Sequence, residues 1–297
     1  MSVRPVNDAE AVRLRMELLR GWLGRRLDAT ALAWLDGELQ RIADAPAGIA
    51  WARAIGLAPR RVGREPLSPE AAELAAGDAL RPGFDASDWT REQAARVLFV
   101  LASAAGAMES FPERLDKIAR SAEIGEQVAL LRGLALYPRQ DQLLGLAAEG
   151  VRSAIQPVYE AVAHRNPYPA DYFTEAMWNQ MVVKALFIGS TLTPIQRLDE
   201  RANLDLAQML VDYAHERWAA KRPVTPELWR CVGPFATSVG AFDDLLRIFN
   251  FGGGEERKGA ALALSECPTP EALIALETAP ALWRDIRTGK LKWETLA

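Results

Sequence analysis

The chain has 297 residues, 49% hydrophobic and 25% charged, with a formal net charge of −4. That length allows one large domain or two ordinary ones with a sizeable core, and the acidic balance speaks against nucleic acid as the main partner, because phosphate binding calls for a basic surface. Two cysteines, Cys231 and Cys267, are too few for a disulfide framework and lack metal-site spacing, so they read as reduced thiols. The N-terminal MSVRPVNDAEAVRLRMELL has no signal-type apolar run. The longest apolar run, Val97 to Met108, is too short to span a bilayer. A cytoplasmic location with no membrane span is therefore expected.

In chain order, Asn7 begins a helical segment that Gly24 closes, and Asp28 caps the next, whose inward residues are Leu32, Trp34, Leu35 and Leu39. Residues 57–68, with Pro59, Gly63 and Pro66, read as a loop. Ser68-Pro69-Glu70-Ala71 predicts a capped start with proline at the first helical position, and Arg81-Pro82-Gly83 a stop. Asp88-Trp89-Thr90-Arg91-Glu92 opens a helix to about Ala105, and shorter helices follow near 110–121, 124–136 and 138–150.

The last two of these form a pair broken at Pro138, and EERKGAALALSECPTPEALIALE near the C-terminus has the same grain. Strand alternation is nearly absent. The predicted fold is all-α, a HEAT-like α-solenoid stack of antiparallel helix pairs. Its expected organisation is an N-terminal helical segment over 1–60 and a helical body over 68–297, continuous as one domain. Gly252-Gly253-Gly254 lacks the strand and the Gly-Lys-Ser/Thr ending of a phosphate loop and reads as a connector.

The densest chemistry lies between Asn166 and Arg230. Asn166-Pro167-Tyr168-Pro169 is a rigid lead-in, and a helix is expected from about Ala170. Its apolar side chains run all the way round, which predicts burial. Glu175, Asn179, Gln180 and Lys184 embedded there need partners: a core network, ordered water or a ligand. The next helix, expected over Leu198 to Ala219, carries Arg201, Gln208, Asp212 and His215 at steps of seven, four and three, hence on one face. Asp212 and His215 can touch and could act as an acid–base pair; the bland alternative is a solvated face of helix salt bridges.

Thr225 can cap a short helix that Gly233-Pro234 ends, Trp229 reads as core, and Arg217, Arg222 and Arg230 could form an anionic pocket if they converge. His164 and His215 are the only histidines, so a metal site would need carboxylates from separate helices; no metal site and no cofactor is expected.

NPYPADYFTEAMWNQMVVKALFIG, LDERANLDLAQMLVDYAHERWAA and RPVTPELWRCVGPF together resemble the EboA family, most closely over 166–235. This bacterial family is encoded beside ebo-type genes that include a TatD-like metal hydrolase, a UbiA-type prenyltransferase and a sugar-phosphate cyclase homologue. The resemblance implies secondary-metabolite biosynthesis or metabolite trafficking, with a small prenylated or cyclitol-derived metabolite or the products of neighbouring ebo-type genes as partners. It implies no catalytic residues.

Two functions stay open. One is a non-catalytic scaffold or small-metabolite-binding protein, with Asn166, Glu175, Asn179, Gln180, Lys184, Arg201, Gln208, Arg217 and Arg230 as candidate ligand contacts. The other is an enzyme on a small polar or anionic, cyclitol- or prenyl-type intermediate. There Asp212 and His215 would exchange protons, and Lys184, Arg217 and Arg230 would hold the anion. Burial separates them: an open, solvent-facing Asp212 and His215 would end the enzyme reading. A base-flipping nucleic-acid binder is a third and weaker reading.

Overall fold

The computed structural model describes residues 8–296. The regular elements among these residues are all helices, with no β-strand; an isolated bridge joins Pro66 to Thr90. No helix among them is long and apolar enough to cross a membrane. Backbone contacts divide the chain into two compact units, 1–173 and 174–297. Asn7, the expected start of the first helix, lies outside the described residues.

The first unit contains α1 (Asp8–Gly24), α2 (Ala29–Asp44), α3 (Ala50–Val62), α4 (Ala71–Leu80), α5 (Arg91–Gly106), α6 (Phe111–Ala119), α7 (Ile124–Arg132), α8 (Leu144–Arg152), α9 (Gln156–Ala163) and α10 (Tyr168–Tyr172). Its centre is α5, which packs against α1, α2, α3 and α7. Every residue from Ala94 to Ala104 is buried. The helix that is buried all round is therefore α5, whose second half, Val97 to Gly106, falls in the run that on length alone could only be set aside as a membrane span. Thr90 and Gln93 form a reciprocal capping box at its start, with bonds of 3.3 and 3.0 Å.

Local starts follow side-chain chemistry more closely than proline position. Asp28 accepts from the Ala31 N–H at 2.8 Å, as its place before α2 predicts. The start expected at Ser68 moves two residues on: Ser68 has a φ of 48°, and Glu70 forms the capping box with Glu73. The carboxylate of Glu73 is also paired with Arg25 and Arg26.

The loop expected from residue 57 is helical as far as Val62, with Pro59 inside α3. Proline cannot donate to the carbonyl four residues back. That carbonyl, of Ile55, instead accepts from Arg96 Nε of α5 at 3.1 Å, so a tertiary contact keeps the helix satisfied through its proline.

The second unit contains α11 (Glu175–Phe187), α12 (Leu204–Ala219), α13 (Phe242–Phe251), α14 (Gly254–Glu266), α15 (Pro270–Glu277) and α16 (Pro280–Arg287), with 3-10 turns at Pro226–Cys231, Gly233–Phe235 and Trp293–Thr295. Here α14 packs against α13, α15 and both of the first two 3-10 turns. The approach is close. A Cβ on Gly259 would sit 2.7 Å from Pro226 Cβ, and one on Gly233 would sit 2.5 Å from the Ala263 carbonyl oxygen, so glycine is needed on both sides. Cys231 and Cys267 are free and buried, and burial pushes the Cys231 thiol upward.

Candidate functional site

The stretch from Tyr168 to Phe187 is two helices rather than one. The chain is extended at Phe173, and Thr174 restarts it as α11, its hydroxyl accepting from the Met177 N–H at 3.3 Å. The buried residues of α11 are Trp178, Asn179, Met181, Val182, Ala185 and Leu186, a one-sided stripe. Burial all round is thus not realised: Glu175 and Gln180 are exposed and Lys184 is half-buried, its amine held below the usual lysine value by burial.

Only Asn179 of the four is inside, and its partner is another amide. Asn179 donates to Asn203 at 3.1 Å and accepts back from it at 2.9 Å, while Asn203 caps α12 by accepting from the Leu206 N–H at 2.8 Å. This cap explains why α12 begins at Leu204 and not Leu198: a short polar side chain that serves the first free N–H groups sets the start. Arg201 consequently lies outside α12 and leaves the predicted stripe; its guanidinium sits 4.6 Å from the Trp178 ring centroid.

The rest of the stripe separates as well. Gln208 donates to Asp212 at 2.9 Å, and Asp212 is exposed. His215 finds its carboxylate on α13 instead, with Nε2 2.6 Å from Asp244 Oδ2 and 52% of its side chain exposed. Arg217 donates twice to the Pro223 carbonyl, at 3.0 and 2.9 Å. Arg230 grips Asp199 through two bonds of 2.6 and 2.7 Å and lies 3.3 Å from Glu294. Arg222 is exposed. The expected three-arginine anion pocket therefore gives way to separate commitments. Asn166, in the first unit, donates to the Leu131 and Ala161 carbonyls, both at 3.2 Å, and accepts from the Tyr168 N–H at 3.1 Å, which occupies its amide with backbone.

What the second unit does assemble is a cleft of 610 Å³. Its walls are the end of α11 with Gly189, Ser190 and Thr191, then Tyr213 and Arg217 of α12, then Pro223 to Glu227, and finally Gly253, Glu255 and Glu256 where α14 starts. Tyr213 is fixed by donating to the Leu186 carbonyl at 3.2 Å. The buried carboxylate of Glu227 ties two walls together, accepting from the Leu192 N–H at 2.7 Å and from the Thr193 hydroxyl at 2.5 Å. Thr225 makes no cap bond to the turn it precedes and lines the cleft.

A smaller cleft of 270 Å³ shares Val224, Pro226 and Glu256 with the first. Both are near the size range of small-molecule sites, about 300–1,000 Å³. Another cavity of 330 Å³ lies in the first unit, between residues such as Leu131, Leu146 and Val158, and its rim arginines Arg120 and Arg152 are paired with Asp116 and Glu149. No group of three His, Cys, Asp or Glu residues that could hold a metal occurs among the described residues.

The model of the family described as metabolite traffic protein EboA matches residues 15–233. The chain belongs to the EboA family. The match takes in α11, α12 and the turn from Pro223 to Glu227, so most of the 610 Å³ cleft is built from family-matched sequence, and only the start of α14 lies beyond it. Comparison with curated proteins and with solved structures finds no match.

Of the candidate site residues read from sequence, Arg217 alone lines this cleft; Thr225 and Gly253, read as a cap and part of a connector, line it too. Ser190, Thr191, Tyr213 and Glu256 carry no site signal of their own in the sequence. The usable signal was the pair of short connecting segments Gly189-Ser190-Thr191 and Pro223-Val224-Thr225-Pro226, because loops beside packed helices are where binding groups gather.

Proposed function

We propose that this chain is a non-catalytic, cytoplasmic metabolite-binding protein that serves traffic or biosynthesis of a small molecule, held in the cleft around Arg217 and Thr225. The observation that carries the reading is the coincidence of that 610 Å³ volume with family-matched residues of mixed hydroxyl, charged and apolar character. Products of neighbouring ebo-type genes are the proposed exchange partners. The finer architecture belongs to the same proposal: successive contacts of α13 with α14 and α14 with α15 suit a HEAT-like stack in which one face serves partners.

The test is native mass spectrometry of the purified protein after incubation with cell extract, against Gly253→Trp. A Cβ on Gly253 meets nothing within 4 Å and its φ is −83°, so the indole fills the cleft without backbone strain. A bound mass in the wild type that is absent in Gly253→Trp, at equal melting temperature, is the expected result. A bound mass that persists in the variant, or none in the wild type, overturns the reading.

The enzyme alternative rests on the 2.6 Å contact of His215 with Asp244. A half-exposed imidazole outside the cleft lining is poorly placed to act as a water-excluded acid or base. His215→Ala is expected to leave pathway output within twofold; a fall beyond tenfold with unchanged melting temperature would favour the enzyme.

A further inference from the structure

The 330 Å³ cavity of the first unit is built from four helices. Its buried lining is Ala119 of α6, Leu131 of α7, Leu146 of α8 and Val158 of α9. Helices α7 and α8 both pack on α9, and a glycine sets how closely they do so. A Cβ on Gly150 would sit 2.6 Å from Val162 and 3.1 Å from Leu131, so this floor needs Gly150 bare. The floor is aliphatic, and no aromatic ring is among the lining residues. It suits a branched hydrocarbon side chain and gives a planar ring nothing to stack on.

The rim has the opposite chemistry. Arg120 pairs with Asp116 of its own helix at 2.7 Å, and Arg152 pairs with Glu149 of its own at 2.6 Å. The charge of Glu149 also acts on Arg120, which puts both pairs at one mouth. Two cations and two anions cancel there. An anionic ligand would meet Asp116 and Glu149, and a cationic one Arg120 and Arg152. Arg120 and Arg152 are 69% and 67% exposed, and ion pairs this open to water are weak enough to exchange a partner at little cost. The lining also holds Gln127, whose amide nitrogen donates to the Ala122 carbonyl at 2.9 Å and leaves its carbonyl oxygen to accept.

We infer that this cavity is a second ligand site, for a free aliphatic α-amino acid. The carboxylate lies at Arg120 and Arg152, the ammonium at Glu149 and the Gln127 oxygen, and the side chain on Leu131, Leu146 and Val158. A zwitterion is the charge type that such a rim holds at both ends, and an aliphatic side chain is what such a floor takes out of water. The site shares no residue with the 610 Å³ cleft and stands whatever that cleft holds.

Titration calorimetry of the full chain with L-leucine, L-leucinamide, N-acetyl-L-leucine and glycine tests this. Leucine is expected to bind. Leucinamide lacks the carboxylate and N-acetylleucine the ammonium, and each should bind about tenfold more weakly for the lost charged partner. Glycine lacks the side chain and should be weaker by about ten- to hundredfold. The exposed double variant Arg120→Gln/Arg152→Gln should bind leucine about tenfold more weakly and no longer prefer it to leucinamide. Ala119→Phe fills the cavity and should abolish binding; where it also lowers the melting temperature, the arginine double variant decides.

No leucine binding overturns the site. So does an affinity for leucinamide, N-acetylleucine or glycine equal to that for leucine, wild-type affinity in the arginine double variant, or binding retained in a folded Ala119→Phe.

Discussion

Helices α5 and α11 both carry polar side chains among apolar ones, and they treat them differently. In α5, Glu92 and Arg96 stay inside, 8% and 5% exposed, and Arg96 is satisfied from several directions: the Ile55 carbonyl at 3.1 Å, the Gly125 carbonyl at 2.8 Å and Glu92 at 2.5 Å. In α11, Glu175 and Gln180 turn outward, and only Asn179 is kept inside, paired with Asn203. Polarity within an apolar helix is thus no mark of a site in either case. Where neighbours saturate a polar group it holds the fold together; where the helix has an open face the group simply points to water. The better mark is unfilled volume beside groups such as Thr225 and Arg217.

The sharpest way to break this comparison is Arg96→Leu. It would leave the Glu92 carboxylate buried without a counter-ion and the Ile55 and Gly125 carbonyls unmatched, and is expected to lower unfolding free energy in urea by about 3–5 kcal/mol. A loss below about 1 kcal/mol would mean the α5 pair is no more demanding than a surface one.

Asn179→Ala and Asn166→Ala, each removing amides that satisfy buried partners, should cost about 1–3 kcal/mol in the same measurement. Either variant that instead lost ligand at full stability would restore that asparagine as a contact.

An acid titration sharpens the structural side. Hydrogen bonds from Arg26, Glu70 N–H and Arg25 hold the Glu73 carboxyl at about 2, well below its ordinary 4.5. A depressed acid stabilises the fold fully above its unfolded value, and that share is lost as pH falls from about 4.5 toward about 2. The urea midpoint of Glu73→Gln should therefore fall less than that of the wild type across this window; parallel curves would contradict the cause assigned here.

The smallest expected effect is that of Gln208→Ala or Asp212→Ala, on the exposed side of α12: within about 0.5 kcal/mol of wild type, with ligand retention unchanged.

Much of the fold was legible in short-range chemistry. Asp28 and the segment Asp88 to Glu92, whose cap is Thr90, marked helix starts because a cap acts on N–H groups two or three residues away. All-α character followed from the missing alternation. Boundaries differ from expectation where the deciding partner is distant in sequence or where a cap lies inside a periodic run. Pro59 ends no helix because Arg96 answers for it, and nothing near residue 59 reveals that. Apolar periodicity runs unbroken through Asn203, whose side chain nevertheless sets the start of α12. The site was less legible still. A cleft is a property of several segments at once, and the carboxylate that meets His215 comes from α13, a helix that carried no chemical signal of its own.

The bond from Arg96 to the Ile55 carbonyl has a consequence for how this sequence can vary. It makes Pro59 and Arg96 order-dependent. With alanine at 59, the restored amide can serve Ile55, and position 96 is relieved of one of its duties. With proline at 59, loss of Arg96 strands that carbonyl as well as Glu92. A lineage that acquires the proline first is committed to its arginine, while one that lacks the proline is freer to drift at 96. A double-mutant cycle on the two positions would read that asymmetry as a coupling of about 0.5–3 kcal/mol.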